Sequence, residues 1–314
     1  MKKDTARFWK TMLIAIAMLV AVDITVGKVS DRLMDKLPDF SGDLAKDNYR
    51  LHRVETDVVI LGSSRACYHF VSQQLADSID AYMGKHYSLY NAGIAAKRAN
   101  SNSLAAEMLI SRYRPQLVIY DIFENALCDP RVNDLEFSAP FYWKDTIVRR
   151  YLDGLGLKER LFMKSSLYRY NSKLFRTVIT IFSPESPNDG YEPLRGARME
   201  IPEFDEETAG AKQSREMDEY TLNNFETVLR KYSSENIPLV IVCSPYYRPK
   251  GNQKRLAAIC EQYGIPFFDF SNVPYFNDHP ELFYDTQHLN DDGAHVFTAM
   301  LFEQLKPLLQ DERQ

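Results

Sequence analysis

The sequence is short of cysteine, and its four thiols (Cys67, Cys128, Cys243 and Cys260) show neither a CxxC pair nor a Cys/His ligand spacing. That pattern argues against a zinc site, and no metal or other cofactor is expected. In an oxidising compartment some of these thiols could pair, but spacing does not fix connectivity, and their default role is that of small buried hydrophobes. An excess of positive charge is also missing: 38 Lys/Arg stand against 43 Asp/Glu, and no basic cluster is interleaved with aromatics. This excludes a nucleic-acid binder. Internal repeats and long low-complexity tracts are absent as well, which removes repeat architectures and extended disordered linkers. What remains is 314 residues of ordinary globular composition, 45% hydrophobic and 26% charged. That length suits one large domain with an insertion or a small cap.

The few basic residues that do cluster stand at the N-terminus. Lys2, Lys3, Arg7 and Lys10 precede an uncharged run from Thr11 to Val22, with Phe8 and Trp9 placed as interfacial anchors. The run has the length of a signal-peptide core and approaches a spanning helix when extended to Val26. No small-x-small cleavage pattern follows Val22, so residues 1–28 read as an uncleaved signal anchor. A soluble amphipathic helix is the competing reading, but no polar face interrupts residues 12–22. Positive charge on the N-terminal side puts the bulk of the chain outside the cytoplasmic membrane, in the periplasm.

Residues 29–54, rich in Asp and Lys, read as a polar stalk, and residues 55–312 as the globular domain. Within it, β-branched runs alternate with helical patterns. Strands are expected at 57–61, 87–90, 116–123, 238–243 and 267–270, and helices to about 80 and at 99–113, 216–234, 250–263 and 292–309. Continuous apolar strands separated by helices predict a parallel sheet covered on both faces, a three-layer α/β/α arrangement. Right-handed crossovers then bring the strand C-termini to one edge, where ligand sites of such sheets lie. Residues 126–215 lack this alternation and are read as an insertion, helical over about 143–182 and then a loop to about 210.

Three features carry chemistry. The first strand runs into Gly62-Ser63-Ser64-Arg65, which exposes a serine at a strand-to-helix turn beside a helix N-terminus. The same serines could simply cap the helix. Just before the last helix, Asp285-Thr286-Gln287-His288 lets a carboxylate accept the imidazole Nδ1–H and free Nε2 as a base. Its competing reading is a capping Asp beside a surface His. Gly93 and Asn125, at the ends of the second and third strands, can donate a backbone N–H and a side-chain amide to an oxyanion, together with the Ser64 N–H. Each alone reads equally as a turn residue. Arg65 and His69, just after the nucleophile, are secondary candidates. Arg65 could bind an anionic group, although a helix-surface role is its ordinary reading.

Ser64, Gly93, Asn125 and Asp285-x-x-His288, in this order on an α/β chain, resemble the SGNH (GDSL-like) hydrolase superfamily. The stretch D-x-x-H-L-N-x-x-G (285–293) is the most specific part. The first block departs from the usual G-D-S as Gly62-Ser63-Ser64, and the third reads Phe123-Glu124-Asn125-Ala126 where G-x-N-D is usual. These departures resemble the divergent, N-terminally anchored branch that works on cell-envelope polymers beside a membrane-bound O-acyltransferase. The resemblance implies a five-stranded, flavodoxin-like parallel sheet. It also implies Ser64 as acyl-carrying nucleophile, His288 as base, Asp285 as its orienter, and Gly93 with Asn125 at the oxyanion; Ser63 is the alternative nucleophile. The expected function is an esterase or O-acetyltransferase on envelope polysaccharide, with a non-catalytic glycan-binding accessory role as the alternative.

Overall fold

The β-branched runs become strands. In the computed structural model, which describes residues 2–39, 42–128, 132–171, 173–183, 188–196, 216–248 and 251–311, β1 (Val58–Leu61), β2 (Leu89–Asn91), β3 (Leu117–Asp121), β4 (Leu239–Cys243) and β5 (Phe267–Asp269) form one sheet in the order β2-β1-β3-β4-β5. All four pairings are parallel. Every residue of β1, β3 and β4 is buried, as expected of strands covered on both faces.

The chain divides into two compact units, Tyr49–Asp134 with Pro187–Gln314, and Met1–Asn48 with Leu135–Ser186. The first holds the sheet. α5 (Ala99–Arg112), α10 (Glu219–Ser234), α11 (Lys254–Gln262) and, after the short α12 (Pro274–Asp278), α13 (Asp291–Asp311) fall close to the expected helices. The helix expected from residue 216 begins at Glu219 because the Asp218 carboxylate accepts the Thr221 N–H at 2.8 Å and so caps it there. The single helix expected after β1 is two, α3 (Ser64–His69) and α4 (Ser72–Met83), parted where Phe70 turns extended. Phe70, buried there, packs edge-on against Phe297 of α13 at 5.0 Å between ring centroids.

Two glycines let the strand ends crowd together. Gly62 has φ +156, and a Cβ on it would meet Ala66 Cβ at 2.5 Å and the Asp121 carbonyl oxygen at 2.9 Å. A Cβ on Gly93 would meet the Cys67 nitrogen at 2.6 Å. Both are glycine for close approach. Part of the expected insertion also belongs to this unit: the Asp189 carbonyl accepts the Asn91 N–H at 2.8 Å along the β2 edge, and the Tyr191 hydroxyl donates to Asp291 at 2.6 Å. The part of the expected loop at 197–215 lies outside the described residues.

The second unit is helical in its described residues. α1 runs from Lys2 to Met34, 33 residues or about 50 Å at 1.5 Å per residue. Its Thr5–Met34 portion is long and apolar enough to cross a membrane. α6 (Thr146–Gly154), α7 (Leu157–Phe162), α8 (Ser166–Arg169) and α9 (Lys173–Phe182) fill the region expected to be helical. α1 packs on α8 and α9. Asp23 accepts hydrogen bonds from the Ser165 hydroxyl and from the Ser166 and Leu167 N–H groups at 2.6–3.0 Å, and Asp31 accepts one from Tyr170 at 2.5 Å. The stretch expected as a polar stalk is mostly helix: α1 continues to Met34 and α2 covers Gly42–His52. Charged residues of α2 are buried along with its apolar ones: Lys46, Asp47 and Arg50 as well as Leu44, Ala45 and Leu51, with Arg50 donating to Asn102 Oδ1 at 2.8 Å and to Ser101 Oγ at 2.6 Å.

Candidate active site

Ser64 is the first residue of α3, directly beyond the carboxyl end of β1. Its Oγ lies 2.8 Å from His288 Nε2. On the other side of the ring, His288 Nδ1 lies 3.0 Å from each Asp285 carboxylate oxygen. Asp285 Oδ1 also accepts the backbone N–H groups of Gln287 at 2.7 Å and His288 at 2.9 Å. Burial would raise the Asp285 carboxyl, but the His288 hydrogen bond and these backbone donors outweigh it and hold it below its ordinary value. An ionised Asp285 takes the Nδ1–H, which leaves Nε2 unprotonated to receive the Ser64 hydroxyl proton.

The stretch 285–293 has a physical reason at each fixed position. Phe283 and Leu289, both buried, form an antiparallel bridge that closes the loop on itself. Asn290 caps α13 by accepting the Gly293 N–H at 3.0 Å, and its amide donates to the Glu281 carbonyl at 2.6 Å. A Cβ on Gly293 would lie 2.2 Å from the Leu282 carbonyl oxygen, so that position has room only for hydrogen.

The other expected residues divide. Ser63 lines the same cleft as Ser64, but it is Ser64 whose hydroxyl meets the imidazole. Asn125 lines the cleft with Ser64 and His288, within a 3-10 turn at Glu124–Cys128 that follows β3. Gly93 differs from expectation: its N–H donates to Asn91 Oδ1 at 3.0 Å. Asn91 in turn donates to the Ala66 and Phe70 carbonyls at 2.7 and 3.2 Å, so this side chain ties the loop after β2 to α3. The Gly93 amide is engaged in that tie.

Arg65 is not a helix-surface residue. Its side chain is 11% exposed, its guanidinium carbon stands 3.0 Å from the centroid of the Phe123 ring, and Nη2 is 3.9 Å from Asp121 Oδ2. Burial lowers the Arg65 pKa against the opposing pull of Asp121, and burial raises Asp121 against the pull of Arg65. Lys97 and Arg98 line the cleft beside it. The cleft has a volume of about 310 Å³, within the range of small-ligand sites.

His69 is buried and bonded at both nitrogens. The Leu289 N–H donates to Nε2 at 2.9 Å, so Nδ1 carries the proton and donates to the Ser244 hydroxyl at 3.1 Å. Burial, with Arg65 and His288 adding to it, pushes its pKa well below the ordinary histidine value. Its hold on Leu289 fixes the backbone immediately after His288. Sequence reasoning missed Ser244, Asp121 and Asn91 as parts of this assembly. The one available signal was Asp121 itself, a carboxylate ending an otherwise apolar buried strand, which needs a partner wherever it is folded in. Ser244 supplies one, donating its N–H to Asp121 Oδ1 at 2.9 Å.

No family profile and no curated protein matches the chain. Among solved structures it is similar to a lipase/acylhydrolase from Enterococcus faecalis, at 16% identity and a TM-score of 0.38 over 80% of this chain and 95% of that one. It is also similar to a two-domain esterase active on acetylated mannans, at 13% identity and a TM-score of 0.39 over 87% of this chain and 56% of that one. At such scores and identities the likeness says nothing of substrate or chemistry. What the chain presents by itself is a five-stranded parallel α/β fold, with Ser64, His288 and Asp285 in hydrogen-bonded sequence at the carboxyl edge of its sheet.

Proposed function

We propose that the chain is a serine-dependent acyl-ester enzyme, an esterase or O-acetyltransferase, that works on cell-envelope polysaccharide through an acyl-serine intermediate. The observation that carries this reading is the 2.8 Å contact between Ser64 Oγ and His288 Nε2, with Asp285 bound to the far nitrogen. His288 takes the Ser64 proton as the hydroxyl attacks the ester carbonyl, then returns a proton to the departing alkoxide. The developing oxyanion is held by the Ser64 N–H, unpaired within its helix as the first residue, and by the Asn125 amide. Gly93 contributes by packing, since its N–H is given to Asn91. The acyl group then leaves Ser64 for water in hydrolysis, or for a sugar hydroxyl in transfer.

In this reading residues 1–28 anchor the chain in the cytoplasmic membrane, and the domain from residue 55 onward acts in the periplasm beside a membrane-bound O-acyltransferase. One observation favours the alternative of a non-catalytic accessory partner: the Gly93 amide is committed to Asn91, which leaves fewer donors for an oxyanion. A fluorophosphonate probe separates the two. We expect it to label the wild-type protein and neither Ser64→Ala nor His288→Ala. A folded wild-type protein that resists the probe and accepts no acetyl group from p-nitrophenyl acetate leaves the accessory role standing.

A further inference from the structure

The unit formed by α1 and residues 135–186 exposes large apolar side chains. On α7 and α8 these are Leu157, Leu161, Phe162, Leu167 and Tyr168. Cations surround them: Lys158, Arg160 and Lys164 are exposed in the same stretch. The bias is regional, since residues 144–176 carry nine Lys/Arg against three Asp/Glu in a chain that is acidic as a whole. Apolar side chains ringed by Lys and Arg are the pattern of a surface that lies in the headgroup region of an anionic bilayer.

Depth is the second, independent observation. Asp23 directly follows the uncharged run Thr11–Val22 of α1, and it is this carboxylate that accepts the Ser166 and Leu167 N–H groups at 3.0 and 2.9 Å. The start of α8 is therefore pinned at the height on α1 where apolar sequence ends. Gly27 repeats the registration, because a Cβ there would meet the Ser166 hydroxyl at 2.5 Å. α9 stands higher. Its Thr177 meets Met34 at 3.4 Å between Oγ1 and Sδ, eleven residues or about 16 Å beyond Asp23 along α1.

We infer that α7 and α8 form a second membrane contact: a small apolar and basic platform that rests on the anionic lipid surface beside the anchor. It rests on the reading of α1 as a spanning helix. The occupant is lipid rather than protein because the platform begins where the apolar run ends and carries the charge that anionic headgroups attract. α1 then acts as the tether and the platform as the foot.

The test uses full-length protein in vesicles of phosphatidylcholine and phosphatidylglycerol whose acyl chains are brominated close to the headgroup. Bromine quenches tryptophan fluorescence on contact. Trp9 and Trp143 are the chain's two tryptophans, so Trp9→Phe with Trp143→Phe gives a silent background for single reporters at Ile16, Phe162, Leu167 and Phe182. We expect strong loss of fluorescence at 16, clear loss at 162 and 167, and none at 182. Replacing Lys158 and Lys164 by Glu should reduce the loss at 162 and 167 while leaving that at 16 unchanged. Quenching at 16 without quenching at 162 and 167 overturns the platform and leaves the anchor intact, with a protein partner as the cover. No quenching at 16 overturns the anchor reading itself. Equal quenching at 162 and 182 overturns the depth assignment.

Discussion

The two units treat their hydrophobic side chains in opposite ways. In the sheet unit, Phe70, Phe270 and Phe297 stack edge to face, with ring centroids 5.0 and 5.2 Å apart around Phe297, and all three are buried. In the other unit Phe175 is 72% exposed and Phe182 81% exposed, and apolar side chains of α1 such as Leu13 and Leu19 are 62% and 64% exposed. Apolar residues are about equally abundant in both, so abundance does not separate them. What separates them is enclosure: the sheet unit encloses its apolar side chains, whereas the other buries some, Val148 and Tyr151 among them, and leaves others open.

The contrast breaks most visibly under truncation. Phe297→Ala removes a ring from a fully enclosed site and should cost about 3–5 kcal/mol of unfolding free energy. Phe175→Ala, at a solvent-facing position, should stay within about 0.5 kcal/mol. Urea titration of the full chain in detergent micelles reads both. If the two losses came out similar, the division into an enclosed and an open unit would fail. A smaller effect is expected in the cleft, where Asn125→Ala should keep the unfolding midpoint yet lower ester turnover by about 10²-fold, the usual loss for one oxyanion donor. Unchanged turnover would remove Asn125 from the oxyanion site.

The same contrast explains what was legible in the sequence. The sheet could be read because each strand is a continuous β-branched run bounded by turn residues, and because parallel order forces the C-termini to one edge. The Asp285–His288 contact could be read because D-x-x-H-L-N-x-x-G compresses a bridge, a cap and a close approach into nine consecutive positions. The Gly93 assignment went differently because a glycine amide advertises nothing about its partner, and here Asn91, two residues earlier, claims it. Arg65 looked like a surface residue because α3 is a single short turn whose inward face cannot be phased from six residues. Residues 29–54 looked like a stalk because charge dominates their composition, while α2 buries Lys46, Asp47 and Arg50 with its apolar residues, Arg50 being satisfied by Asn102 and Ser101.

The smallest effect to test concerns His69, and it sharpens the picture of the enclosed unit as one that also carries buried polar wiring. Its Nε2 accepts the Leu289 N–H and its Nδ1–H donates to Ser244, so the folded protein holds it neutral. Facing it are Arg65 and His288, which push its pKa further down after burial has done most of the work. The sign follows directly. The unfolded chain binds a proton on this imidazole below its ordinary pKa of about 6.5, whereas the folded chain does not, so His69 lowers folding stability as pH falls through that value. The expected slope is about 1.4 kcal/mol per pH unit below pH ~6.5, continuing down to the depressed folded pKa. His69→Gln keeps an acceptor for Leu289 and a donor for Ser244 without a titrating group. Measured by urea unfolding between mildly acidic and neutral pH, the variant should lose that part of the acid sensitivity. It should also keep more turnover than His69→Ala, which leaves the Leu289 N–H buried and unpaired beside His288. Parallel stability-against-pH curves for wild type and His69→Gln would show that the imidazole protonates in the folded state and that the Leu289 bond does not hold it neutral.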